Sequence, residues 1–452
     1  EIQPIIFAGG RGSRYPEIIG ERPKCLIPIG PYPLLFYPLY MLQKHGFQDV
    51  IVIVIESQKS EIQQKMEKCP LQIKIEFTTI SNDSDFGTAD ALRGISEKIK
   101  SDVLLISCDS ITNVSLFPLL NQFRKHNASI GVLLLKGGAE NDAIVPGPKT
   151  KFKPEKDLIA LNPDTNRLIF MASCSDFEEN LALHGHLLRT NGKVNVRTGL
   201  VDAHIYVIKK WVIDFLAESA DFSTLKGEFL PYIVKKQMSR PINLSENDKL
   251  SSEVNVNVNI DDIFHFLPRS ETDMKINRAY SVFTDKLSDN CFDLIKCYAY
   301  VAPKDVYGLR VNTLPGYCVA NQKIFSLWTS LIGDKTTLSM ISANSTIGTK
   351  QITDCAVGDN TVIAEKTSLT GSVLGANCTI NQKVRIVNSI LMNSVTIEEG
   401  VTIENCVVCD KATIKAGSIL KNCLVGCNYV VPENTKKEKI NFSNTDAYME
   451  IE

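Results

Sequence analysis

Residues 8–14 read Ala-Gly-Gly-Arg-Gly-Ser-Arg and follow the apolar run Pro4–Phe7 directly. Ten residues beyond Arg14 stands Lys24, inside the stretch RPKCLIPIG. Glycines after a strand let backbone N–H groups approach a phosphate closely, and an arginine with a lysine would neutralise it. A bare glycine loop reads equally as a tight strand-to-helix turn; the Arg-to-Lys spacing and the following Pro-Ile-Gly make the whole span more specific than such a loop. Two cysteine pairs, Cys406-x-x-Cys409 and Cys423-x-x-x-Cys427, have a spacing that zinc can use. All six histidines precede residue 338, so no imidazole completes such a set, and no metal is expected.

The elements that must hold these residues are legible as alternating runs. Ile5-Ile6-Phe7, Val50–Ile55, Asp102–Ser107 and Ser129–Leu135 read as buried strands, and Phe36–His45 has helical spacing. Strands alternating with helices predict a mostly parallel, doubly wound sheet covered on both faces. Residues 149–156 (KTKFKPEK) are basic and broken by proline, so they read as an exposed excursion. Residues 245–262 are rich in Ser, Asn and Asp and read as a linker.

From residue 338 the texture changes. Val357, Leu374, Leu391, Val408 and Val425 recur every 17 residues, with aliphatic residues between them at six-residue steps. A second ladder, Asp354-Cys355, Gly371-Ser372, Asn388-Ser389, Asn405-Cys406 and Asn422-Cys423, keeps the same period. Small polar residues at one phase suit tight corners, and three short strands per coil stack into a triangular parallel solenoid. This ladder already accounts for Cys406 and Cys423. Acyltransferases built on such solenoids need a histidine base near the coils, and none is present there.

Composition limits the rest. The chain has 452 residues, 44% hydrophobic and 22% charged, with 49 Lys and Arg against 51 Asp and Glu. That balance gives no general nucleic-acid footprint, and no apolar run reaches the roughly 18 residues of a membrane span. Thirteen scattered cysteines read as reduced thiols of a cytosolic protein.

The glycine loop with Lys24 resembles the signature of sugar-nucleotide pyrophosphorylases. That resemblance implies base contacts at Gly87-Thr88-Ala89, a metal-holding carboxylate at Asp109 and a C-terminal left-handed parallel β-helix. Departures from the family are equally visible. Cys108 stands where a glycine is usual, no Glu-Lys-Pro segment occurs between residues 165 and 200, and residues 198–204 (TGLVDAH) replace an Asn-Ala-Gly turn.

Residues 85–93, 104–112, 197–210, 227–237, 296–324 and 389–400 look more like the gamma-subunit family of eukaryotic translation initiation factor 2B. The segment LVDAHIYVI is the most discriminating. This resemblance implies a non-enzymatic subunit of a guanine-nucleotide exchange complex, pairing with an epsilon homologue and acting on initiation factor 2 in the cytosol. In that family epsilon carries an extra catalytic helical domain, and the short stretch beyond the solenoid here favours gamma. The expected domains are a nucleotidyltransferase-like unit (1–240), a linker and connector (241–337), the β-helix (338–432) and a tail (433–452). No catalytic residue, metal or cofactor is expected; Gly9, Gly10, Gly12, Arg14, Lys24, Gly87, Thr88 and Asp109 form a candidate vestigial nucleotide pocket. The alternative is an active pyrophosphorylase of mannose or glucose phosphate.

Overall fold

Runs of β-branched and aliphatic residues too short for helices form the centre of the N-terminal half. In the computed structural model, which describes residues 2–10, 12, 14, 16–20, 22–81, 86–138, 144–148, 156–176, 193–239, 262–268, 293–333 and 338–443, they pair into one seven-stranded sheet. Its strands are β1 (Ile2–Phe7), β2 (Asp49–Ile55), β3 (Lys74–Ile80), β4 (Asp102–Ser107), β5 (Ile130–Lys136), β6 (Leu200–Ile208) and β7 (Cys297–Val301). The spatial order is β7-β5-β6-β4-β1-β2-β3. β6 alone runs antiparallel to its neighbours, β4 and β5. Alternate residues of β4 feed two cores, Val103 and Leu105 on one face and Leu104 and Ile106 on the other. The sheet is therefore buried on both sides, as continuous apolar strands require.

Two expected boundaries move. The segment read as linker and connector supplies β7, parallel to β5, and a short strand Gly308–Arg310 that pairs with Ser110–Thr112. Cys297 and Ala299 are fully buried, so this edge belongs to the N-terminal unit. Buried Arg167 secures the approach, donating to both Asp293 carboxylate oxygens at 2.5 and 2.6 Å. The solenoid also continues past residue 432, through Lys436–Glu438 and Asn441–Phe442. Most of the basic excursion (149–155), most of the linker (245–261), His184, His186 and the tail from 444 lie outside the described residues.

The C-terminal half is a left-handed parallel β-helix of three six-stranded sheets. Parallel pairing joins residues 17 apart, for example Leu374 with Leu391 and Leu391 with Val408. The ladder read from sequence is one of three left-handed corners in the coils: Asn388, Asn405 and Asn422 have φ of 47, 50 and 50°, while Ser394 and Lys411 have 58 and 55°. Just inside the first corner runs a buried column. The Ser389 and Cys406 N–H groups donate to the side chains of Ser372 and Ser389 one coil earlier, at 3.2 and 3.1 Å. The Cys423 N–H donates to Cys406 Sγ at 3.3 Å.

One solenoid face is covered on both sides. Adjacent strand residues divide between its two surfaces: Leu374 and Leu391 point inward, while Val373, Ile390 and Val407 point outward into a separate core. That outer core is shared with Ile18, Ile27 and the helix Leu314–Ile332. Thr313 starts the helix by accepting the Gly316 N–H, and Gly333 (φ 108°) ends it. The two halves are thus joined through a packed apolar layer.

Candidate functional site

The glycine loop leaves the C-terminal end of β1. Ala8 N–H donates to Ile53 O at 2.8 Å, so the loop starts level with the end of β2. Gly12 has φ +69°, and a Cβ there would lie 1.8 Å from Ile19 Cδ1, so another residue would be strained and would displace Ile19. Gly10 and Gly12 flank Lys24: added Cβ atoms would sit 3.8 and 3.5 Å from its side chain. Gly9 packs towards Ile55 and Ile80, and Arg14 is exposed.

Lys24 does not reach outward for a phosphate. Its Nζ donates to Asp109 Oδ2 at 2.5 Å. Asp109 follows β4, is 2% exposed, and also accepts from Arg310 Nε and Nη2 at 3.4 and 3.3 Å. The pairing of Gly308–Arg310 with Ser110–Thr112 sets Arg310 opposite Ser110 and so beside Asp109. The Val311 N–H donates to the Asp109 carbonyl at 2.7 Å and fixes the crossing. Burial alone would push the Asp109 carboxyl up, but Arg310 and Lys24 outweigh it and hold the group well below the usual carboxylate range.

Gly87 and Thr88, expected to contact a base, are held by a different loop. The Leu225 N–H donates to Thr88 Oγ1 at 2.9 Å, and the Ala89 N–H donates to Ser223 O at 2.9 Å. A Cβ on Gly87 would fall 2.1 Å from that same Ser223 oxygen. Asp90 completes the latch, accepting from Gly87 N–H at 3.1 Å and Ser223 Oγ at 2.8 Å.

A second polar cluster, not anticipated as a site, comes from the discriminating segment in β6. Asp202 is fully buried and accepts the His204 N–H at 2.8 Å and the Tyr206 hydroxyl. Asp157 accepts the Asp202 N–H at 3.1 Å, and Lys226 Nζ lies 2.9 Å from its other oxygen. His204 adopts φ 52° where the β6–β5 register shifts, a bulge that turns its ring out of the strand alternation. Burial pushes the Asp202 carboxyl up to about 6 and holds the His204 imidazole well below its usual value, hence neutral. The signal for this cluster was present in the Asp-x-His-x-Tyr spacing. Nothing near residue 310 in the sequence pointed to Asp109.

The arrangement can hold a carboxylate firmly between two cations. Among the described residues no three His, Cys, Asp or Glu side chains converge as a metal-ligand set. Cys406 and Cys423 belong to the buried column inside the solenoid.

Comparison with known proteins matches two family models, nucleotidyl transferase over residues 3–143 and the EIF2B subunit epsilon LbH domain over residues 335–436. Among curated proteins, translation initiation factor eIF2B subunit gamma of Schizosaccharomyces pombe is 33% identical over 314 residues, covering 67% of each chain. The gamma subunit of Caenorhabditis elegans is 32% identical over 241 residues, 52% of this chain and 59% of that one. The epsilon subunit of Schizosaccharomyces pombe is 22% identical over 239 residues, 51% of this chain and 34% of that one.

Proposed function

This chain belongs to the translation initiation factor eIF2B gamma-subunit family, and on that premise we propose that it is a non-catalytic subunit of the exchange complex acting on initiation factor 2. The observation that carries the non-catalytic part is the occupation of Asp109 by Lys24 and Arg310. Nucleotidyl transfer needs a cation, usually Mg²⁺ held by carboxylates, to neutralise the triphosphate in the transition state. Here a guanidinium stands 3.3 Å from the Asp109 carboxylate, which Lys24 also holds, and these residues do not fit a divalent ion. Asp202 is engaged by Tyr206 and does not supply a second ligand. The Thr88 hydroxyl and the Ala89 amide, which a base would need, are engaged by residues 223–225.

A subunit with no chemistry of its own acts through placement. One solenoid face is buried against the chain's own N-terminal half, which leaves two for partners. The face carrying Val362, Thr379, Thr396, Thr413 and Val430 is a flat parallel sheet in strict register, with Val362 45% and Val430 52% exposed. In this reading it receives the epsilon homologue in the cytosol and so positions initiation factor 2 for GDP release. No cofactor takes part. Among the described residues no helix is long and apolar enough to cross a membrane, and the reading needs none.

The test is GDP release from initiation factor 2 with the epsilon homologue alone, with this chain added, and with Thr396→Arg/Thr413→Arg. The parent accelerates release and the variant does so poorly. An inert parent refutes the role, and a fully active variant refutes the choice of face. Pyrophosphorolysis of nucleotide sugars stays at background; turnover that disappears in Asp109→Ala establishes the pyrophosphorylase reading instead.

A further inference from the structure

Away from the glycine loop, a cavity of about 310 Å³ opens where the helix Lys59–Glu67 faces the solenoid corner at Ser394 and Lys411. Its size is that of a small-ligand pocket. Among the described residues Arg22, Lys65, Lys68 and Lys411 line it against two carboxylates, Glu61 and Asp410. Asp410 is already engaged, pairing with Arg22 and accepting the Asn393 N–H at 2.8 Å. Arg22 Nη1 is buried with no hydrogen-bond partner among the described residues, in a side chain 11% exposed. Lys65, Lys68 and Lys411 are exposed and form no ion pair among the described residues.

The solenoid corner carries an independent mark. Positions 360, 377, 394, 411 and 428 form one left-handed ladder, with φ between 54 and 58°. Three of them are asparagine, the residue besides glycine that best accepts that backbone. The two departures, Ser394 and Lys411, are the two that line the cavity. At other left-handed corners Lys383 pairs with Glu399 at 2.7 Å and Lys439 with Glu438 at 3.8 Å, while Lys366, like Lys411, forms no ion pair among the described residues. Lys411 faces the other cations.

We propose that this cleft between the two halves binds a small phosphorylated anion, held by Lys65 and Lys68 from one side and Lys411 from the other. A phosphate dianion supplies the charge that four cations and two carboxylates leave uncompensated, and its oxygens accept from the buried Arg22 Nη1. Planar guanidinium and flexible ammonium groups together suit a phosphoryl group better than a carboxylate peptide, which a pocket this small would not admit. Occupation ties the N-terminal half to the solenoid by a bridge separate from the apolar layer.

The test is calorimetric titration of the full chain with inorganic phosphate, pyrophosphate and glucose 6-phosphate in low salt. The three arms separate free phosphate from an ester source. At least one probe binds with a Kd of about 1 mM or tighter, and binding weakens as salt rises. The double variant Lys68→Gln/Lys411→Asn, which keeps a residue suited to the corner backbone, weakens binding by about tenfold or more. Arg14→Ala, in the glycine loop, leaves it unchanged. Hydrogen exchange of the parent with the tightest probe slows at both 64–68 and 409–412. The proposal is overturned if no probe binds, if Lys68→Gln/Lys411→Asn binds like the parent, if Arg14→Ala removes binding, or if only one side of the cleft is protected.

Discussion

Replacing Arg310 by methionine removes a guanidinium from Asp109 while keeping most of the buried stem. Losing one member of a buried ion pair costs about 3–5 kcal/mol, because the other charge is stranded. Asp109 keeps Lys24 at 2.5 Å, and the Arg310 contacts are the longer ones at 3.3 and 3.4 Å, so the loss falls below that range. We expect about 2–3 kcal/mol at pH 7. The strand Gly308–Arg310 is held to Ser110–Thr112 by a short antiparallel ladder, so the loss concentrates in local opening there. Native-state hydrogen exchange of those amides then quickens roughly 30- to 150-fold. Adding Asp109→Asn to Arg310→Met also takes the carboxylate from the largely buried Lys24, so the double variant loses at least as much as Arg310→Met. The pH dependence has a fixed sign. Asp109 is depressed in the folded state, so its contribution is complete above the unfolded value of about 4 and fades as pH falls below it. The gap between parent and Arg310→Met therefore narrows only below about pH 4. Exchange rates within threefold of the parent, or a double variant clearly more stable than Arg310→Met, would refute the claim that these cations hold the site shut.

Leu391 is fully buried inside the solenoid, and Leu391→Asp places an unpaired carboxylate there; a loss of about 4 kcal/mol or more and melting of the coils by circular dichroism are expected, and a parent-like melt would show that the side chain points elsewhere. Asp202 has the opposite titration sign to Asp109: its folded value of about 6 exceeds the unfolded one, so the parent loses stability as pH rises from about 4 to 6, and Asp202→Asn flattens that stretch of a urea-midpoint profile by about 2–3 kcal/mol, whereas an unchanged slope assigns it to another group.

The strands of the sheet were legible because they are short, apolar and bounded by turn residues, and the coils because their period repeats five times. What escaped was set by contacts between distant parts of the chain. Arg310 meets Asp109 across 201 residues, and no local pattern marks an arginine as the partner of a buried acid. Strand β7 lay beyond the linker, where Cys-Tyr-Ala-Tyr-Val carries no alternation strong enough to assign it to a sheet begun almost 300 residues earlier. The buried solenoid face did leave a trace. Each coil has two adjacent apolar residues at that phase, as in Val373-Leu374 and Ile390-Leu391, where the leucine alone would fill the interior; Val373 and Ile390 face the apolar layer shared with the N-terminal half. Left-handed lysines at 366, 383, 411 and 439 were hidden because lysine is not a corner residue by propensity.

The apolar layer against that face makes the solenoid a ruler. Coils stack at the spacing of paired strands, about 4.8 Å, so the outward residues Ala356, Val373, Ile390, Val407 and Leu424 mark off about 19 Å of the apolar layer shared with the N-terminal half. Because every coil has the same length from Gln351 onward, losing one would rotate no face and empty no core. It would shift every later marking by one step relative to the N-terminal half. A partner that grips both halves of the chain at once therefore reads the number of coils as a distance, and an insertion of 17 residues would disturb its fit as surely as a charge placed in the interface.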